Sequence, residues 1–135
     1  FYKIVGGTTP IATVMAIKHF KSIKIKAVKY DSSNDSEAAK LLCTTYYGWN
    51  ILFMKYVYNF CKQNKLNFED VYKQTNEIYN KGYEQLGMSN VRRPILNYMP
   101  GKIGGHCVTN NLKLLKDIFP LAKVMLKMND DNKTH

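Results

Sequence analysis

The chain contains 135 residues, which is enough for one domain or for a domain with an adjoining fragment. Lys and Arg number 20 against 10 Asp and Glu, so the net charge is +10, and the 45% hydrophobic content excludes an intrinsically disordered chain. No uncharged apolar run is long enough to cross a bilayer, so we expect no membrane segment. The charge is compatible with nucleic acid, with an anionic substrate or with a solvated surface alone.

Cysteine usage and the first residue bear on the cellular setting. Three cysteines without a Cys-x-x-Cys pair exclude a disulfide framework and a four-cysteine zinc site. We therefore predict no metal and a reducing, cytoplasmic compartment. The sequence opens on Phe1 and carries no signal-peptide pattern, which leads us to expect a piece of a longer protein.

The first 33 residues predict a β-α-β unit. A short β-type run ends at Gly6-Gly7, and Thr9-Pro10 supplies an N-cap and a first helical residue for a helix that reaches about Lys21. The alternating residues from Lys24 to Tyr30 predict a second strand. Because two parallel strands do not make a stable sheet by themselves, we interpret residues 1–33 as the end of a truncated α/β domain.

A single long helix is predicted from about residue 34 to 62. Asn34 and Glu37 resemble a capping box, and Gly48 is the one candidate helix breaker over about 28 residues, or about 42 Å. We call the residues that recur on it at three- and four-residue steps the aromatic stripe: Ala39, Leu42, Cys43, Tyr46, Trp49, Asn50, Phe53, Val57 and Phe60. Because this helix outruns a globule of 135 residues, we expect part of the stripe to pack on a second subunit. Cys43 and Cys61 are predicted to lie in the core.

Shorter helices are predicted in the rest of the chain, on either side of an irregular stretch. Their predicted bounds are about 67–81, 110–119 and 120–127, with a loop that includes Gly82 after the first of them. The predicted fold class is therefore mainly α, with a short N-terminal β-α-β unit, residues 1–33, and an all-α domain, residues 34–135.

Gly104-Gly105-His106-Cys107, at the start of a helix, is the most informative local motif. Adjacent glycines let a ligand approach the backbone closely, and a thiol at a helix N-terminus has its thiolate stabilised. The pattern is typical of a nucleophilic cysteine, although a glycine turn beside a half-buried cysteine has the same spacing. Arg92, Arg93 and Lys102 flank the motif and could hold a phosphate together with backbone N–H groups, or form an ordinary basic loop.

Taken in order, these segments resemble the UDP-glucose/GDP-mannose dehydrogenase family, the nucleotide-sugar 6-dehydrogenases. Lys3–Pro10 resembles the end of the family's NAD domain, and Ser36–Leu41 resembles the Ala-Glu-x-x-Lys-Leu segment of its long central helix. Arg93-Pro94 and then Pro100–Cys107 resemble its substrate loop, which ends in Gly-Gly-His-Cys. The resemblance spans nearly the whole chain.

The resemblance implies an organisation and a set of partners. Residues 1–33 would close a Rossmann-like, NAD-binding domain, and residues 34–135 would form a central helical domain like the C-terminal domain of 6-phosphogluconate dehydrogenase. The long helix would form the core of a homodimer. Family members oxidise the C6 alcohol of a nucleotide sugar to a carboxylate with two NAD+, so the expected ligands are a UDP-sugar and NAD, the latter bound mainly by a domain outside this chain. Neither nucleic acid nor a membrane is an expected partner.

The resemblance also implies roles for individual residues. Cys107 would attack the aldehyde intermediate as a thiolate, and Lys40 would stabilise the developing oxyanion. The substrate-binding residues would be Arg93, Lys102, Ile103, Gly104 and Gly105.

Several departures from the family pattern lead us to predict that this chain alone does not oxidise a sugar nucleotide. Thr44 stands where the family has Asn, and Asn111 stands where it has Asp, whose carboxylate can accept a proton as a carboxamide cannot. Lys55-Tyr56 replaces a family Asn-Glu, and Lys102 replaces a glycine. The alternative is a non-catalytic dimeric module descended from the family, which binds at most a sugar nucleotide or a phosphate. A nucleic-acid-binding domain is a third interpretation, which rests on charge alone.

Overall fold

The computed structural model describes residues 2–132 and is mainly helical. Its elements are β1 (Lys3–Val5), α1 (Pro10–Ser22), β2 (Ala27–Lys29), α2 (Ser33–Gln63), a π-helical segment (Glu69–Gln74), α3 (Thr75–Gln85), a 3-10 turn (Ser89–Val91), α4 (His106–Leu115) and α5 (Pro120–Asp131). The mainly α class with a short parallel strand pair at the N-terminus is therefore confirmed. Two compact units, Phe1–Thr44 and Thr45–His135, adjoin in the sequence within α2. The predicted domains of residues 1–33 and 34–135 include residues 1 and 133–135, which lie outside the described part.

Two short parallel strands form the sheet of the first unit. β1 and β2 pair in the register that places Ile4 opposite Val28. β2 is shorter than the strand predicted over residues 24–30, because Lys24 adopts a φ of 60° in the turn that ends α1. There its N–H donates a hydrogen bond to the carbonyl oxygen of Lys21, so the strand begins only at Ala27.

The N-terminus of α1 is capped as the sequence predicts. The Thr9 hydroxyl oxygen accepts a hydrogen bond of 3.2 Å from an N–H of the first turn. One turn later, the buried Thr13 hydroxyl accepts the N–H of Gly7 at 2.9 Å and donates to the carbonyl oxygen of Thr9. The loop after β1 is packed tightly, since a Cβ on Gly6 would lie 1.9 Å from the carbonyl oxygen of Ser32.

The long helix α2 begins slightly earlier than predicted. Its cap is Ser32 rather than Asn34: the N–H of Asp35 donates to the Ser32 Oγ at 3.1 Å, and the Ser32 hydroxyl donates to the Asp35 carboxylate at 2.8 Å. A serine hydroxyl can do both at once, which makes this pair a better cap than the predicted one. Gly48 lies within the helix and does not interrupt it.

In the second unit, α2 buries a face other than the aromatic stripe. Leu52 and Lys55 are 0% and 4% exposed, whereas Tyr46 and Phe53 of the stripe are 62% and 51% exposed. The buried face meets α4 closely at Gly48, where a Cβ would lie 2.5 Å from the Val108 side chain. Residues 2–132 therefore leave these aromatic side chains of the stripe exposed.

The prediction for the two helical cysteines is right for one and wrong for the other. Cys61 is 1% exposed and belongs to the core, whereas Cys43 is exposed. Cys43 belongs to the aromatic stripe, several of whose side chains are exposed, Tyr46 and Phe53 among them.

The helix predicted over residues 67–81 begins at its predicted cap and extends further. The Asn67 side-chain oxygen accepts the N–H of Glu69 at 3.0 Å. The π-helical segment and α3 then carry the helix to Gln85, so the prediction that Gly82 lies in a loop is wrong. The chain turns instead at Gly87, whose φ of 71° is readily adopted by glycine.

The last two helices depart from their predicted bounds in different ways. α4 has about the predicted length but begins at His106 instead of about residue 110 and ends at Leu115 instead of about residue 119, whereas α5 is longer and continues to Asp131 instead of about residue 127. The pair buries Leu112, Leu115, Ala122 and Met125. Residues 92–105, which precede α4, have neither helix nor strand. Over residues 2–132, no helix has the combination of length and apolarity that a membrane span requires.

Candidate functional site

The irregular segment that leads to the glycine motif is anchored near its start by two buried side chains. The backbone N–H of Arg93 donates to the Asn80 side-chain oxygen at 2.8 Å, and the Asn80 amide donates to the carbonyl oxygen of Arg93 at 2.9 Å. The Tyr72 hydroxyl donates to the carbonyl oxygen of Pro94 and accepts the N–H of Leu96, each at 3.3 Å. Asn80 and Tyr72 are buried, so water competes little for these hydrogen bonds.

Two further buried side chains anchor the second half of the segment. The Lys55 ammonium donates to the carbonyl oxygens of Met99 and Gly101, the latter at 2.7 Å. Desolvation by burial lowers the pKa of Lys55 from its ordinary value of 10.5. The Asn129 side chain accepts the N–H of Ile103 at 2.7 Å and donates to the Ile103 carbonyl oxygen at 3.3 Å. The backbone is therefore fixed up to the residue before the two glycines.

Open space surrounds Gly104 and Gly105. A Cβ added to either glycine would meet no atom within 4 Å, so packing within the described part of the chain does not require glycine at these positions. Cys107 follows, exposed, on the first turn of α4, as the motif predicts. The first turn of a helix attracts anions because its N–H groups lack acceptors within the helix. Cys107 and His106 belong to no group of three metal-binding side chains within residues 2–132.

Asn111 lies four residues after Cys107 on α4 and is half-buried. Residues four apart share one face of a helix, so the carboxamide of Asn111 is on the same side of α4 as the thiol. A carboxamide donates and accepts hydrogen bonds but takes up no proton, which limits what this pair can do in acid–base chemistry.

Lys102 is engaged in an ion pair. Its ammonium lies 2.7 Å from the Asp130 carboxylate, and the two side chains are 44% and 70% exposed. Such a pair contributes about 0–1 kcal/mol. A phosphate that used Lys102 would have to compete with Asp130 for the ammonium.

Arg93 presents its guanidinium group against aromatic rings. The group lies 4.3 Å from the ring centroid of Tyr79 and 5.7 Å from that of Tyr83. Among the residues that the structure describes, no carboxylate forms an ion pair with Arg93. Its charge is therefore available for an anion, which is the property that the predicted substrate-binding role requires.

A cavity of about 420 Å³ opens beside Arg93 in the second unit. Its walls include four aromatic side chains and two amides, those of Tyr46, Trp49, Phe53, Tyr72, Asn50 and Asn76. Three of the four aromatic residues come from α2, and two of those belong to the exposed part of the stripe.

Lys40 and Thr44, the other predicted site residues, belong to the first unit, whereas Cys107 and Asn111 belong to the second. Lys40 is exposed on α2. The Thr44 hydroxyl donates to carbonyl oxygens of its own helix, those of Lys40 at 3.1 Å and Leu41 at 2.9 Å. The hydroxyl is thus committed to the backbone in a way that the family's asparagine amide need not be.

Sequence reasoning missed the side chains that anchor the segment. Lys55 was singled out only as a departure from the family pattern, and Asn80 and Asn129 carried no predicted role. What these three residues share is a polar side chain at a position of a helix that faces the core, and that pattern could have identified them in the sequence. For Lys55 that pattern lies in the spacing of three residues from Leu52, which is fully buried.

Comparison with known proteins adds no family assignment. No known protein family matches the chain, and no curated protein is significantly similar to it. The resemblance to nucleotide-sugar dehydrogenases rests on the order of short motifs.

Proposed function

We propose that this chain is the central domain of an NAD-dependent nucleotide-sugar 6-dehydrogenase, in which Cys107 is the nucleophile toward the C6 aldehyde. The observation that carries the proposal is the segment from Gly104 to Cys107, where two glycines in open space lead directly to an exposed thiol on the first turn of α4. The mainly α fold with a β-α-β start is compatible with this family. Under the proposal, residues 1–33 are the end of a Rossmann-like domain and residues 34–135 are a helical domain like the C-terminal domain of 6-phosphogluconate dehydrogenase.

The step proposed for this chain is a nucleophilic addition. The Cys107 thiolate forms a bond from its sulfur to the aldehyde carbon, and the electron pair of the C=O π bond moves to oxygen as an oxyanion. The family resemblance assigns Lys40 to the stabilisation of that oxyanion. Arg93, which no carboxylate pairs with among the described residues, is the proposed partner of the anionic diphosphate.

The glycines after β1 do not fit a dinucleotide site. A Cβ on Gly6 would lie 1.9 Å from the carbonyl oxygen of Ser32, and one on Gly7 would lie 2.7 Å from the backbone nitrogen of Thr13, so both serve contacts within the chain. A pyrophosphate-binding loop instead keeps its N–H groups open toward the ligand. The proposal therefore assigns NAD binding to residues outside this chain and predicts no oxidation by the chain alone.

A homodimer through α2 is the second part of the proposal. Its support is the exposure of the aromatic stripe, in which Tyr46, Phe53 and Phe60 are 62%, 51% and 55% exposed. Large exposed apolar patches mark interaction sites. A second copy of the chain offers the same stripe, as a two-fold symmetric interface requires.

Three observations favour the alternative, a non-catalytic dimeric module. Asn111 stands one turn after Cys107 without a carboxylate, Lys102 is paired with Asp130, and the Thr44 hydroxyl is bonded to its own helix. Asn111 and the committed Thr44 hydroxyl weaken catalysis, and the Lys102–Asp130 pair removes one cation from phosphate binding, while Arg93 and the open glycines are unaffected by all three.

The enzymatic proposal and the non-catalytic alternative are distinguished by measuring NAD+ reduction and carboxylate formation by the protein at its full natural length. We expect two NADH per carboxylate formed from UDP-glucose or its N-acetylated analogue, and we expect Cys107→Ser to abolish carboxylate formation. Cys43→Ser, which changes the other exposed cysteine, is the matched control and should retain activity. Binding of a nucleotide sugar without NAD+ reduction would overturn the enzymatic proposal and establish the alternative. Absence of both binding and turnover would overturn both.

A further inference from the structure

Lys55 is a charged side chain in the core of the second unit. It is 4% exposed, and no carboxylate among residues 2–132 forms an ion pair with it. An ammonium group removed from water costs free energy unless polar partners compensate it. A methionine of similar length would fill the same space without the cost of removing a charge from water. The role of Lys55 therefore depends on the groups that its ammonium contacts.

Those partners all belong to one turn of backbone before the glycine motif. The ammonium donates to the carbonyl oxygens of Met99 and Gly101 and lies 5.3 Å from the ring centroid of Tyr98. The Tyr98 ring in turn stacks on Tyr58, with centroids 3.6 Å apart and planes 13° from parallel. Lys55 and Tyr58 are three residues apart and share one face of α2. That face therefore holds the backbone from Tyr98 to Gly101.

The geometry of this turn explains why a lysine suits the position. Two carbonyl oxygens on either side of Pro100 converge on a single atom, and an ammonium nitrogen offers three donors from one atom. Gly101 has a φ of 78°, a left-handed conformation that glycine adopts easily. A neutral apolar side chain would leave both oxygens without this donor.

Beyond the turn, the path to the thiol is short. Asn129 fixes Ile103 through two hydrogen bonds, and only Gly104 and Gly105 separate Ile103 from α4. We infer that Lys55 is a positioning residue, whose ammonium folds the turn from Tyr98 to Gly101 and thereby sets how the two glycines and Cys107 are presented. The inference rests on the proposed function, in which the two glycines and Cys107 meet the substrate. The effect of Lys55 on their backbone can be measured without any substrate.

The test compares Lys55→Met with Lys62→Met in the 135-residue chain. Lys62 is an exposed lysine of the same helix, so its substitution controls for loss of charge from α2. Hydrogen exchange is measured over residues 98–107, and iodoacetamide alkylation is quantified separately for each cysteine by peptide mass spectrometry. For Lys55→Met we expect the Ile103 N–H, which donates to Asn129, to exchange about tenfold faster, because the turn that precedes it loses its anchor and the Asn129 bond opens more often. The alkylation rate of Cys107 should change by about threefold or more, since thiol reactivity depends on local surroundings.

The other two cysteines separate positioning from a merely structural role. Cys43 is exposed and lies outside the motif, so its alkylation rate should stay constant. Cys61 is buried and reports general opening of the core, so its rate should also stay constant. Lys55→Gln, which keeps an amide donor on a shorter side chain, should give intermediate exchange. Equal results for Lys55→Met and Lys62→Met would overturn the inference. Faster reaction of all three cysteines would also overturn it, by showing a structural role. A failure of the dehydrogenase proposal would leave these readouts unchanged.

Discussion

Asn80 binds both polar groups of the Arg93 backbone. It accepts the Arg93 N–H at 2.8 Å and donates to the Arg93 carbonyl oxygen at 2.9 Å. Tyr79, the residue before Asn80 on α3, provides the ring over which the Arg93 guanidinium lies at 4.3 Å. Two adjacent residues of one helix thus fix the backbone and the charged group of a single arginine, the residue that the proposed function assigns to an anionic ligand.

Asn80→Asp should destabilise the second unit. The carboxylate still accepts the Arg93 N–H but cannot donate to the Arg93 carbonyl oxygen, and Asn80 is 7% exposed. We expect a loss of about 2–3 kcal/mol in the free energy of unfolding, measured by urea denaturation. Asn90→Asp, at an exposed position, should change it by less than about 0.5 kcal/mol. Equal losses for the two variants would show that the Arg93 contact contributes nothing.

Lys55 predicts a specific pH dependence of stability. Because burial lowers its pKa in the folded chain, the unfolded chain holds this proton more strongly, and folding is penalised at neutral pH. The penalty shrinks as the pH rises through the folded pKa toward 10.5, so the Lys55 contribution to stability rises with pH.

Melting curves of the wild type and Lys55→Met between pH 7 and 10.5 test this sign. The difference between the two proteins isolates the contribution of Lys55. We expect any advantage of Lys55→Met in melting temperature to be largest at pH 7 and to diminish as the pH rises. A difference that stays constant over the whole range would contradict the lowered pKa.

Gly48 and Gly82 should respond in opposite ways to alanine. A Cβ on Gly48 would lie 2.5 Å from Val108 and 3.3 Å from Met125, so Gly48→Ala should cost about 1–2 kcal/mol through crowding between α2 and α4. A Cβ on Gly82 meets nothing within 4 Å, and alanine is the better helix former. Gly82→Ala should therefore add about 0.5–1 kcal/mol to the free energy of unfolding. If both substitutions raised the free energy of unfolding, or both lowered it, the close approach of α2 and α4 at Gly48 would be refuted.

The aromatic stripe predicts a dimer that depends on Tyr46 more than on its neighbour Tyr47. Both tyrosines are exposed, at 62% and 55%, but only Tyr46 belongs to the stripe. In sedimentation experiments, Tyr46→Gln should weaken dimerisation by about tenfold, the effect of losing a moderate interface contact, and Tyr47→Gln should leave it unchanged. Trp49 is the only tryptophan of the chain and lies on the stripe, so its fluorescence should change on dilution. A wild-type chain that sediments as a monomer at tens of micromolar would refute the dimer.

Local chemistry in the sequence predicted much of the helical framework. Thr9 before Pro10, Asn67 before Glu69, and Cys107 at the start of α4 all lie where the sequence places them. Each depends on groups within about four residues along the chain, which is the range over which a helix terminus is capped. Where the prediction of a cap was wrong, at Asn34, the true cap Ser32 was only two residues away.

The burial of α2 and the anchoring of the glycine motif were decided by tertiary structure alone. Periodicity revealed the aromatic stripe, but the chain buries the face of Leu52 and Lys55 instead. Lys55 reaches Gly101 across 46 residues, and Asn129 reaches Ile103 across 26. Periodicity shows which residues share a face of a helix, whereas burial depends on which distant elements fold against that face. The sequence by itself therefore determined that the helices exist and that Cys107 lies at the start of one of them, and tertiary packing determined which polar side chains hold the backbone that leads to it.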